Sequence, residues 1–140
     1  MNVEAMLTVD ASDSALRLLD PMVQAFCHGK SITADSMNRL SFALEAVVTY
    51  CSKVIRNARQ SHLIQILFSS NESHIEILVE YGNERGPIEP YFRHGCHDKR
   101  FKVTTFEALG LHVARELVES IEFSSSPFSE NRFLLRIPIP

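Results

Sequence analysis

Several of the residues that betray specialised proteins are scarce in this sequence. It has three cysteines, Cys27, Cys51 and Cys96, odd in number, far apart and without a C-x-x-C pair. That excludes a disulfide framework and suits a reducing cytoplasm. No apolar run approaches the roughly 18–20 residues needed to cross a bilayer, so a membrane-spanning helix is not expected. The first residues, MNVEAMLTVD, carry an early acid and no basic stretch ahead of a long apolar one, so they do not read as a signal peptide. The 14 lysines and arginines are scattered through a chain of net charge −3. Phosphate-backbone binding needs them massed on one face, so nucleic acid is not the expected partner.

What is present is an ordinary globular balance: 140 residues, 45% apolar and 22% charged, with no composition break. Residues 1–140 therefore read as one domain. Residues from about 3 to 10 alternate weakly through Ala5, Leu7 and Val9, as an edge strand does. Ser12 or Asp13 then caps a helix carrying Leu16, Leu19, Val23 and Phe26, which ends near Gly29 and is split or kinked by Pro21. A second cap at Thr33 to Asp35 opens a long helix to about residue 57. Its apolar residues Leu40, Leu44, Val47, Cys51 and Val54 make one face at a 3.6-residue period.

Two alternating segments follow, Ile64, Ile66 and Phe68, then Ile75, Ile77, Val79 and Tyr81, with Asn71-Glu72 as the hairpin tip. Residues 82–103 break the pattern with glycines, prolines and charges, and a loop this long in a compact domain is usually functional. A helix from about Thr104 to Ser120 is expected to turn Leu109, Val113, Leu117 and Val118 inward. Short strands at 121–125 and 132–139 close the chain. The order predicts an α+β fold, a two-layer sandwich with helices packed on one face of a mixed sheet.

Four segments carry a family resemblance. They are LSFALEAVVTYCSKV in the long helix, NERGPIEP in the loop, EALGLHVARELVESIEF in the next helix and SSSPFSENRFLLRIPI at the end. In order and spacing they resemble the boxes of the anti-sigma-factor serine kinases of the GHKL (histidine-kinase-like) ATPase superfamily, from about residue 38 onward. The closing hairpin departs in its turn, which in the family usually holds glycines. The resemblance implies the histidine-kinase-like ATPase fold. It makes Glu45 the catalytic residue and places Thr49, Lys53, Glu84, Gly86, Leu109, Gly110 and Leu111 around the nucleotide, with ATP and Mg²⁺ as cofactors.

Those boxes are eroded here. In the family the helix glutamate activates the attacking group and an asparagine one turn later gives an oxygen to Mg²⁺; Glu45 matches the first, but Thr49 stands at the second. Mg²⁺ demands near-ideal octahedral geometry at about 2.0–2.1 Å, so a shorter side chain is a poor substitute. Glu84 stands for the aspartate that accepts from the adenine amino group, and Arg85 stands where a glycine lets the base approach. That arginine either blocks the base or swings out to solvent. Gly110 and Leu111 of the second glycine box remain, but Glu107 and Ala108 replace its first two glycines, and Glu107 puts a negative charge where a triphosphate would sit.

Other readings compete. Glu45, Thr49 and Lys53 at i, i+4 and i+8 also form a polar stripe of the kind that simply faces water. His94-Gly95-Cys96-His97-Asp98 has the chemistry of zinc ligands, but structural zinc sites draw on two separated pairs and no second pair is evident. As a thiol nucleophile, Cys96 beside a histidine lacks the third group that would hold the base. No metal is expected, and the segment reads as a mobile lid over the groove.

Two functions remain open. One is a cytoplasmic regulatory protein that binds a sigma factor or an anti-anti-sigma domain, probing ATP weakly if at all. The other is an active ATP-dependent protein serine kinase. Thr49, Arg85, Glu107 and Ala108 all favour the first. The resemblance further implies a homodimer joined through the N-terminal strand and first helix, an unpaired-looking edge.

Overall fold

A computed structural model of the protein describes residues 1–96, 105–126 and 129–140. Five strands, β1 (Ala5–Val9), β2 (Ile64–Ser70), β3 (His74–Glu80), β4 (Ser120–Ser126) and β5 (Ser129–Pro138), form one sheet in the order β1-β2-β3-β5-β4. Three helices, α1 (Leu19–Cys27), α2 (Ala34–Asn57) and α3 (Phe106–Leu117), pack with it as an α+β sandwich. The sheet is less mixed than the pattern predicts. All four strand pairings are antiparallel, and among the described residues the parallel contact is a lone bridge between Arg93 and Phe123.

The alternation reads directly into the core. Val79 faces Ile66 on one side and Phe133 on the other, and Ile77 likewise faces Phe68 and Leu135. All six side chains are fully buried, so one period-2 face of three strands makes a continuous apolar floor. The predicted stripe of α2, Leu40, Leu44, Val47, Cys51 and Val54, is buried against it. Thr33 caps α2 as expected, its hydroxyl accepting from the Ser36 N–H at 3.1 Å. The predicted hairpin tip is also present. The Asn71 side-chain oxygen accepts from the backbone N–H groups of Ser73 and His74, both at 2.8 Å, and so folds the chain back on itself. Among the described residues β1 lies at the sheet edge, paired to β2 alone.

Two helices differ from the sequence reading. The first becomes a 3₁₀ turn over Asp13–Leu18 followed by α1, with Pro21 in the first turn of α1. There its missing N–H has no intrahelical partner to lose, so of the two expected effects the segment is split ahead of Pro21 and not kinked at it. In α3 the inward residues are Ala108, Leu111 and Ala114, with Val118 at its end. Leu109 and Val113, expected inside, are 46% and 38% exposed. The reason is the close approach of α3 to α2. A β-carbon placed on Gly110 would make ordinary contact with that of Ala46, at 3.7 Å, so small residues line the seam and Leu109 and Val113 lie outside it.

No helix among the described residues is long and apolar enough to cross a membrane. The packing predicts that Ala114→Leu destabilises the fold by about 1–3 kcal/mol, because overpacking pushes α3 off α2. Leu109→Ala should stay within about 0.5 kcal/mol of the wild type, as an exposed site does. Urea unfolding of the two variants checks the pair.

Candidate functional site

The wall of the site is built around a carboxylate in the core. Glu89 is fully buried, in a short 3₁₀ turn over Glu89–Phe92. Three donors converge on it. The Tyr50 hydroxyl of α2 donates to Oε1, the Tyr81 hydroxyl donates to Oε2 at 3.0 Å, and the Gly86 N–H donates to Oε2 at 2.8 Å. A carboxylate only accepts, so it matches three donors in a way no amide or hydroxyl would. Burial and the adjacent Glu89 both push the Tyr50 hydroxyl pKa well up, and burial does the same more strongly to Tyr81. Both tyrosines therefore remain donors. The cluster sits on an aromatic nest centred on Phe133, whose ring stacks on Tyr81 at 5.6 Å and meets Tyr50 and Phe92 edge-on at 6.1 and 5.8 Å.

This arrangement decides what Gly86 must be. A β-carbon there would lie 2.3 Å from the Tyr50 hydroxyl oxygen, so the glycine is needed for space. Asn131 of β5, 1% exposed, secures the other end of the same connection. Its side-chain N–H donates to the Glu84 carbonyl at 2.7 Å and its backbone N–H to the Gly82 carbonyl. Arg85 is exposed and lines the rim of the groove, but its head group is tethered. Its guanidinium donates to the Asn131 oxygen at 3.2 Å and to the Ser125 hydroxyl at 2.8 Å.

Between α2, this connection and the start of α3 lie two cavities that share Glu107. The larger, about 340 Å³, is lined by Lys53 and Val54 of α2, by Glu84, Arg85, Gly86 and Ile88, and by Thr105 and Ala108. The smaller, about 260 Å³, is lined by Phe42, Glu45, Ala46, Thr49, Phe106, Glu107 and Gly110. Ligand cavities commonly run from roughly 300 to 1,000 Å³.

Of the residues singled out in the sequence, Glu45, Thr49 and Gly110 thus share the smaller cavity and Lys53, Glu84 and Gly86 the larger. Two are not brought in. Leu111 is fully buried in the core, and Leu109 lies on the outer side of α3 and lines neither cavity. Desolvation, helped by the charge of Asp20, raises the pKa of Glu45. The positive end of α3 is already served from within, since Thr105 accepts from the Ala108 N–H at 3.1 Å and Glu107 lies in the first turn.

The expected lid is not loose in its first part. Ile88 and Phe92 are 4% and 2% exposed, and the Arg115 guanidinium sits 3.8 Å from the Phe92 ring centre. Residues 97–103 of the lid, and with them His97 and Asp98, lie outside the described residues. Cys96 is exposed, and His94 Nδ1 lies 3.3 Å from Glu122.

Glu89, Tyr50 and Asn131 have no role in the sequence reading, and Tyr81 enters it only as a strand residue. An acid in a glycine- and proline-rich loop reads as solvated, and only its place between Ile88 and Pro90 hints at burial. No family model matches the chain, and a search of curated proteins finds no significant match.

Two outcomes follow. Glu89→Ala should cost about 3–5 kcal/mol, since three buried donors lose their acceptor, and Tyr81→Phe about 1–2 kcal/mol, which denaturant unfolding measures. For Glu45, the raised pKa means the native state binds its proton more tightly than the unfolded chain does. Its ionisation therefore lowers stability as pH rises above the ordinary carboxylate range. Glu45→Gln should melt higher than wild type at pH 7, with the difference gone below about pH 4, where both states are protonated.

Proposed function

We propose that this chain is a regulatory protein of the anti-sigma serine kinase type, acting by protein–protein binding through a groove unsuited to ATP. One observation carries the reading. Where the resemblance would put phosphates and Mg²⁺, the smaller cavity is lined by two carboxylates, Glu45 and Glu107, and by no cation. A triphosphate entering it meets like charge, and Thr49 offers a hydroxyl in place of a longer oxygen ligand for the metal that would offset that charge. The α3 N-terminus, which could otherwise draw phosphate, is capped by Thr105 and carries the acidic Glu107 in its first turn. Arg85 is a lesser obstacle than its size suggests, because its head group is held at Asn131 and Ser125.

The partner in this reading is a sigma factor or an anti-anti-sigma domain in the cytoplasm. The chain is a homodimer through β1 and the first helical segment. In support, β1 has an unpaired edge among the described residues, and Met1, Val3 and Met6 are 60%, 43% and 56% exposed. The alternative, an active kinase, is favoured by Glu45 itself: a carboxyl of raised proton affinity facing a cavity is the kind of base that phosphoryl transfer to a hydroxyl uses.

Calorimetry with MgATP separates the two. The regulatory reading expects a Kd weaker than about 1 mM and negligible turnover; a low-micromolar Kd, near −8 kcal/mol, overturns it. The combined change Thr49→Asn and Glu107→Gly should raise affinity about 10- to 100-fold. Light scattering should give twice the monomer mass.

A further inference from the structure

The smaller cavity is better suited to a cation than to the nucleotide it excludes. Its wall combines two carboxylates, the Thr49 hydroxyl and two phenylalanines, Phe42 and Phe106. Neither Glu45 nor Glu107 has an ion-pair partner among the described residues. Carboxylates beside aromatic rings recognise guanidinium and ammonium groups through charge-assisted hydrogen bonds and ring-face attraction.

The apolar surface does not stop at the cavity mouth. Phe106, 83% exposed, begins a row on α3 that continues through Leu109 and Val113 at i, i+3 and i+7. Phe42, 45% exposed, stands beside it on α2. These are large side chains outside the α2–α3 seam, and exposed apolar rows beside a charged pocket mark interaction sites. A free amine would satisfy the carboxylates but leave the row uncovered. An amphipathic segment bearing one cation covers both.

Resting on the regulatory reading above, we propose that this cavity and the adjoining row on α3 dock an amphipathic helix of a partner protein, with an arginine or lysine side chain seated between Glu45 and Glu107. The helix-in-groove mode supplies the apolar contacts, and the cation supplies selectivity.

The test uses the full chain, labelled for NMR, and two synthetic amphipathic peptides. They are identical except that one carries a central arginine and the other citrulline, its neutral isostere. The arginine peptide should shift amides at Phe42, Glu45, Thr49 and Phe106 to Val113, and bind about tenfold more tightly than its twin. Glu107→Gln should erase the difference between the two peptides, and Phe106→Ser should weaken both about tenfold. Because Phe106 is almost fully exposed, that variant should keep its fold, which circular dichroism verifies.

Equal binding of the two peptides, or shifts confined to another surface, overturns the proposal. So does spermidine giving the same shifts irrespective of Phe106→Ser, which would indicate a free-amine site. Displacement of the arginine peptide by millimolar Mg²⁺ would indicate a metal site and overturn it likewise. The MgATP titration fails separately: tight nucleotide binding defeats the regulatory reading, whereas no nucleotide binding together with equal peptide binding defeats this inference alone.

Discussion

The burial of Glu89 is the constraint on which the rest of the site depends. A carboxylate in a protein core is costly unless its lone pairs are filled, and here they are filled from three directions. One donor comes from α2, one from the residue after β3, and one from the backbone of the connection that contains Glu89 itself. The charge therefore ties helix, sheet and loop together at one point. A segment with three glycines and prolines over a few residues becomes a fixed wall, and the cavity beside α2 exists because that wall stands where it does. Asn131 repeats the device at the other end with neutral groups.

The second determinant is the small-residue contact between α2 and α3. Gly110 against Ala46, with Ala108 and Ala114 buried nearby, lets the helices come together. Close approach shapes the groove. It narrows the space between Glu45 and the first turn of α3 to the smaller cavity, so that Glu107 and Glu45 line the same wall. Phe106, Leu109 and Val113 lie outside the α2–α3 seam and give the groove an apolar margin. A helix N-terminus alone would favour an anion, and here two carboxylates line the cavity beside it. The chemistry follows the side chains and not the fold.

The layered architecture was legible because it rests on periodicity. The alternation at Ile64 to Phe68 and Ile75 to Tyr81, and the stripe from Leu40 to Val54, each have one buried solution, and the structure adopts it. Six of the eight candidate site residues lie on the cavities for a related reason: a fixed position on α2 or beside the glycines follows once those elements are placed. The failures have a different physics. Which face of α3 turns inward depends on how near α2 comes, and small residues win that contest over Leu109 and Val113 without any signal in hydrophobicity alone. The role of Glu89 depends on donors 39, 8 and 3 residues away that converge only in the fold, and its apolar neighbours Ile88 and Pro90 are the one local hint.

Hydrogen exchange tests most directly whether one buried carboxylate holds the groove wall. The Gly86 amide, bonded to Glu89 at 2.8 Å, should be protected to nearly the level of the core strands β2 and β3. In Glu89→Gln, protection across residues 84–92 should fall by orders of magnitude while β2 and β3 remain protected. Exchange of Gly86 at its unprotected rate in the native protein, or an unchanged pattern in the variant, would contradict this account.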